Sequence, residues 1–162
     1  MYADRFAPYS ATNIHYAKRA QVPGFRADVV RDGVVVAKIS IPDNDAAVEH
    51  EFTSVAHRFR FEQHLASLAP AFFPEKLADE DTMRACFLLD LVDAEQADTQ
   101  LQQMCQSHTV FRLKGDVEDH WRELDEPYSP ALAKAIRSEY QSGLDMIANE
   151  IYGTSSTGVG HA

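Results

Sequence analysis

Phe25-Arg26-Ala27-Asp28-Val29-Val30-Arg31-Asp32-Gly33-Val34-Val35-Val36-Ala37-Lys38-Ile39-Ser40-Ile41 is the stretch whose reading decides the fold. Two β-branched runs, Phe25 to Val30 and Val34 to Ile41, flank Asp32-Gly33. That dipeptide suits the positive φ angles of a type I′ turn, so the stretch reads as a β-hairpin. Pairing across the turn places Val30 opposite Val35 and Val29 opposite Val36. Apolar residues then fall on both faces near the turn. The pattern leaves open which face meets the core, and a bulge would change the answer.

Working outward, Pro42-Asp43-Asn44-Asp45 ends the second strand, because proline cannot donate to a ladder. Val48, His50 and Phe52 alternate with Glu49, Glu51 and Thr53, which predicts a third short strand. Upstream, residues 1–12 mix aromatic and turn residues without period and read as an extended arm. Downstream, Ser54 reads as the N-cap of a helix to about Ala69, with Val55, Phe59, Leu65 and Leu68 along one side and Pro70 as its stop. Ala71-Phe72-Phe73-Pro74 reads as a loop carrying buried aromatics.

A helix over 79–92 opens with Asp79-Glu80-Asp81, acids that suit the positive end of a helix dipole. Ala85 to Val92 is apolar except for Asp90, so this helix is expected to be the most buried. A second helix over about 95–106 carries Leu101, Met104 and Cys105 on one side. Thr109 to Lys114 reads as a strand turned by Gly115-Asp116, with His120 to Leu124 returning beside it. Ser129-Pro130 is an N-cap serine followed by proline at the first helical position, and Ala131, Ala135, Ile136 and Tyr140 continue that helix. Gly143 breaks or kinks it before Leu144, Ile147, Ile151 and Tyr152 resume a 3–4 spacing. Gly153 to Ala162 reads as a disordered tail. Two hairpins without a repeated βαβ unit predict an α+β fold, an antiparallel sheet from two β-hairpins packed against three to five helices. The expected organisation is one domain over 1–152.

The chain has 162 residues, 45% hydrophobic and 25% charged, which is the make-up of a globular protein. No apolar run is long enough to span a bilayer, and the N-terminus lacks the apolar segment of a secretory signal. Cys86 and Cys105 are too few for a disulfide framework and read as reduced cytosolic thiols. Fifteen bases against twenty-five acids give a net charge of −10, which disfavours direct nucleic-acid binding over a broad face. The excess is concentrated. Residues 1–74 balance eight acids with eight bases, whereas 75–98 hold eight acids against Lys76 and Arg84. Residues 116–126 hold six acids against Arg122. A solvated surface is the plain explanation for such acids; their clustering keeps a binding surface in view.

The chemistry-bearing motifs are weak. Gly153-Thr154-Ser155-Ser156-Thr157-Gly158 imitates a phosphate loop, but Val159 and Gly160 stand where lysine and a hydroxyl residue are needed. Asp43-Asn44-Asp45 starts like a calcium loop and lacks its glycine and its closing glutamate, where Val48 and Ser54 stand. His57 and His64 share a helix face, and Cys105 and His108 sit three apart, yet nothing requires the pairs to converge on zinc. No metal and no cofactor are expected. Asp116, Glu118, Asp119 and His120 are the one group that offers acid–base or magnesium chemistry, because neighbouring carboxylates shift one another's pKa. No nucleophile motif or dinucleotide fingerprint accompanies them, so no catalytic residue is assigned. Trp121 lies between His120 and Arg122, facing Arg112 and Lys114 if the two strands pair; the alternatives are a cationic–aromatic patch or a core tryptophan beside charge-balanced arginines.

Phe25-Arg26-Ala27-Asp28-Val29-Val30-Arg31-Asp32-Gly33 with Asn44-Asp45, and later His108-Thr109-Val110-Phe111-Arg112-Leu113-Lys114-Gly115-Asp116 with Trp121-Arg122 and Pro127-Tyr128, resemble a group of small phage and prophage proteins of unassigned function. The glycines that usually follow Asn-Asp in that group are here Ala46 and Ala47. The resemblance implies a mobile-element origin and carries no catalytic residue. With the clustered acids it leads to an expected function: a non-enzymatic, acidic protein-binding module in a bacterial cytosol. Such a module would act as a counter-defence, anti-CRISPR-like inhibitor that occupies a basic nucleic-acid-binding surface of a host complex. The expected contact residues are Asp79, Glu80, Asp81, Asp116, Glu118, Asp119, Glu123, Asp125 and Glu126. This requires the two stretches to form one negative face. The alternatives are a small magnesium-dependent hydrolase or nuclease using 116–120, and an oligomerising phage structural or regulatory protein.

Overall fold

The computed structural model describes residues 2–17, 24–42, 47–72, 79–117 and 120–153, with backbone alone at 69–72. The fold is α+β: among the described residues there are four α-helices and two antiparallel sheets, of four and three strands. The chain divides into two compact units, 1–97 and 98–162.

In the first unit, a short 3-10 turn (Ala3–Phe6) leads into β1 (Tyr9–Tyr16), followed by β2 (Phe25–Arg31), β3 (Val34–Ile41) and β4 (Glu49–Phe52). The sheet runs in chain order, β1-β2-β3-β4. The Asp32-Gly33 turn forms as the sequence predicts, with φ of 51° and 77° at its two central residues. Val30 faces Val35 as expected, but Val29 pairs with Ala37 rather than Val36. Val36 is the extra residue of a β-bulge, which is why it and its neighbour Ala37 are both buried. Beyond the bulge the pleat is regular. Phe25, Ala27 and Val29 point inward while Arg26 and Lys38 face water.

The expected extended arm is instead an edge strand, anchored by fully buried Phe6 and by Tyr9 and Ala11. Its ladder shifts register between Thr12 and His15, around Asn13 at φ 52°, so no clean alternation is present to read.

Helix α1 (Val55–Phe72) starts where predicted, with the Ser54 hydroxyl accepting the His57 N–H at 3.1 Å. Its buried side matches the expected one only in part: Leu65 faces the core as read, joined by Phe61, whereas Val55 is 85% exposed and Phe59 59% exposed. Pro70 does not stop the helix either: the backbone stays helical through Phe72. Ala71 and Phe72 thus belong to the helix, and 73–78, with the rest of the expected loop, lie outside the described residues.

Helix α2 (Glu80–Ser107) is one uninterrupted helix in place of the two expected, since no glycine or proline separates Val92 from Glu95. Phe87, Leu88, Leu91 and Val92 are fully buried. The core of the first unit is an edge-to-face aromatic cluster, with Phe61 5.1 Å from Tyr9 and 5.4 Å from Phe87, and Phe87 5.2 Å from Phe6.

In the second unit, β5 (Thr109–Leu113) is central, flanked by β6 (Arg122–Leu124) and β7 (Leu144–Ile147). Helix α3 (Pro130–Tyr140) is capped as predicted, the Ser129 hydroxyl accepting the Leu132 N–H at 3.2 Å. It lays Ala133 and Ile136 against Phe111 and Ile147. The resumed helix expected after Gly143 is instead the strand β7, paired with β5, and then one turn, α4 (Asn149–Tyr152). Asn149 is buried with its polar atoms satisfied: Oδ1 accepts the Val110 N–H at 2.7 Å, and Nδ2 donates to the carbonyls of Cys105 and His108. Residues 154–162, and with them all of the phosphate-loop imitation but Gly153, lie outside the described residues, as do Asp43-Asn44-Asp45 and Ala46.

Candidate protein-binding surface

The predicted contact residues fall in both units, three in the first and six in the second. In the first unit, Asp79 precedes α2 and is spent on it: its Oδ1 accepts the Thr82 N–H at 2.7 Å and its Oδ2 the Thr82 hydroxyl. That hydrogen bonding holds its carboxyl below the usual range. Asp81 reaches Arg84 at 2.6 Å. Glu80 is exposed and makes no ion pair among the described residues.

Arg84 is the residue that sequence reasoning overlooked. Its side chain is only 4% exposed. It gathers Asp81, Glu62 at 2.9 Å and the Nε2 of His50 at 3.3 Å, and Glu62 also receives Arg58 at 2.8 Å. Burial and the adjacent Arg84 cation push the His50 pKa down, so its neutral ring accepts from the guanidinium. The network ties β4, α1 and α2 together and takes Asp81 out of the pool of free charges.

In the second unit, the Gly115-Asp116 turn (Gly115 φ 92°) brings Asp116 back onto Arg122. Both Asp116 oxygens accept from that guanidinium at 2.9 Å, and Oδ2 also accepts the Leu113 N–H at 3.0 Å. Arg122 and the Leu113 amide together lower its pKa to about 2. Such a carboxylate is a turn staple rather than a base. Glu118 and Asp119 lie outside the described residues, so the acid group read at 116–120 is described only at Asp116 and His120.

Glu123, on edge strand β6, and Asp125 and Glu126, in the bend that follows, all point to solvent. Glu123 and Glu126 make no ion pair among the described residues, and Asp125 has only His108, at 3.5 Å. Trp121 is half-buried rather than a core residue. The Arg112 guanidinium lies 5.0 Å from its ring centroid and is itself paired with Asp145 at 2.7 Å. The cationic–aromatic contact therefore exists, with its arginine already balanced.

The pairs considered for zinc lie elsewhere. Nδ1 of His57 contacts the Thr53 hydroxyl, His64 packs on Tyr9, and the Cys105 thiol is buried, which pushes its pKa up to about 11. Among the described residues no three His, Cys, Asp or Glu side chains gather as a metal site would require. No helix among them is long and apolar enough to cross a membrane.

Of the described contact residues, Glu80, Glu123, Asp125 and Glu126 are thus available to a partner, while Asp79, Asp81 and Asp116 are committed within the fold. Comparison with known proteins finds no family model, no curated protein and no solved structure that matches this chain.

Proposed function

We propose that the chain is a non-enzymatic protein-binding module of phage or other mobile-element origin, which sets exposed carboxylates against a basic surface of a host protein complex. The observation that carries this reading is the run Glu123, Asp125 and Glu126: three exposed acids on and beside an edge strand, with no lysine or arginine pairing them among the described residues. Unneutralised carboxylates project a field that steers a cationic partner, and they lose less water-compensated pairing on contact than carboxylates already held by an arginine. A groove built to hold a nucleic-acid backbone, as in a CRISPR effector or another bacterial defence complex, presents the complementary charge. Occupying it blocks the groove without chemistry.

The test is capture of partners from bacterial lysate by the wild-type chain and by a Glu123→Lys, Asp125→Lys, Glu126→Lys variant. The expected result is a basic, nucleic-acid-handling partner held by the wild type and lost by the variant. Equal capture by both proteins, or a partner without a basic surface, would contradict the reading.

A further inference from the structure

The first unit contains a small recess whose charge runs against the rest of the molecule. It offers about 190 Å³ between the turn end of the β2–β3 hairpin and the start of α1, and Arg31, Arg60, His57, Tyr9, Val34 and Val36 line it. In a chain with twenty-five acids and fifteen bases, two of the three ionised lining groups are arginines; Asp32, at the rim, is the third.

The cations are presented differently. Arg31 is held in place: its guanidinium lies 5.4 Å from the Tyr9 ring centroid, Nη1 donates to the Tyr9 hydroxyl at 3.2 Å, and Nε faces Asp32 at 3.4 Å. Nη2 is left without a partner among the described residues. Arg60 makes no hydrogen bond or ion pair among them. His57 adds an oriented ring. The Thr53 hydroxyl lies 3.1 Å from the Val36 carbonyl and 2.7 Å from His57 Nδ1. A hydroxyl that donates to the carbonyl accepts from Nδ1–H, and that tautomer leaves Nε2 as an acceptor. The recess thus combines two guanidinium donors, one imidazole acceptor and an apolar wall of Val34 and Val36.

We infer that this recess binds a phosphate group. The arginines supply the charge-assisted donors that a tetrahedral oxyanion needs. The His57 acceptor matches the hydroxyl that hydrogen phosphate carries and sulfate lacks. The volume admits a phosphate group.

The experiment is a titration of the full chain with inorganic phosphate, followed by NMR at the arginine Nε–H groups and backbone amides. A parallel titration uses sulfate. Saturable shifts at Arg31, Arg60 and Gly33 are expected, with sulfate binding more weakly. Arg60→Gln, at an exposed position that leaves folding intact, weakens phosphate by about tenfold. Asp32→Asn keeps a residue that tolerates positive φ and removes the repelling carboxylate, so it tightens phosphate severalfold. Phosphate shifts that do not saturate, sulfate binding as tight as phosphate, or unchanged affinity in both variants would each overturn the assignment.

Discussion

Asp116 places both carboxylate oxygens on Arg122 and receives the Leu113 amide, so its acidity belongs to the fold. Its pKa falls to about 2, against about 3.9 for an unfolded aspartate. Because the folded value is the lower one, the ionised carboxylate stabilises the native state above the unfolded pKa, and that contribution is lost as pH falls from about 4 to about 2. Arg122→Gln is expected to lower stability at neutral pH and to converge with wild type near pH 2, as urea unfolding at a series of pH values checks. A penalty that persists undiminished at the lowest pH would show that Arg122 acts by packing. At this scale the sequence was only partly informative. That 116–126 is acidic could be read directly; which acids are free could not, because the partner of Asp116 lies across a turn. The buried roles of Arg84 and Asn149 had no signature, since each is defined by groups from elements distant in sequence.

The elements that were legible are those whose cause is local. Asp32-Gly33, Ser54 and Ser129 each specify a turn or a cap with chemistry held within four residues, and each forms as read. The face of α1 was legible only in part: Leu65 is buried as read, but Phe61 rather than Phe59 accompanies it. Val55 and Phe59 have the same apolar spacing as Phe61 and Leu65, and what decides between them is the position of Tyr9 and Phe87, which come from other elements. The structure therefore predicts unequal costs on one helix. Phe61→Ala is expected to lose about 3–5 kcal/mol through a core cavity, and Phe59→Ala to stay within about 0.5 kcal/mol of wild type. Chemical denaturation of both variants checks this, and equal costs would contradict the orientation of α1. Strands β1 and β7 escaped the sequence reading for a related reason: a register shift interrupts the alternation of β1, and the four residues of β7 also fit a helical period.

Across the whole molecule, the negative charge is shared rather than polarised. Residues 1–97 carry fifteen acids against ten bases and residues 98–162 ten against five, so each unit has the same excess of five. The fold class was accessible from two hairpins and the absence of βαβ repeats, because topology at that level follows from element order. The binding surface was accessible as composition but not as geometry, and the structure narrows nine expected carboxylates to four that have no lysine or arginine partner among those described. Exposed charges of this kind act over about a Debye length, roughly 10 Å at 0.1 M salt. The most direct measurement is the affinity of the chain for its captured partner between roughly 50 and 500 mM salt, for the wild type and for the Glu123, Asp125 and Glu126 charge-reversal variant. Wild-type affinity is predicted to fall steeply with salt and the variant to bind weakly throughout. An affinity indifferent to salt would contradict the proposal that carboxylates make the contact.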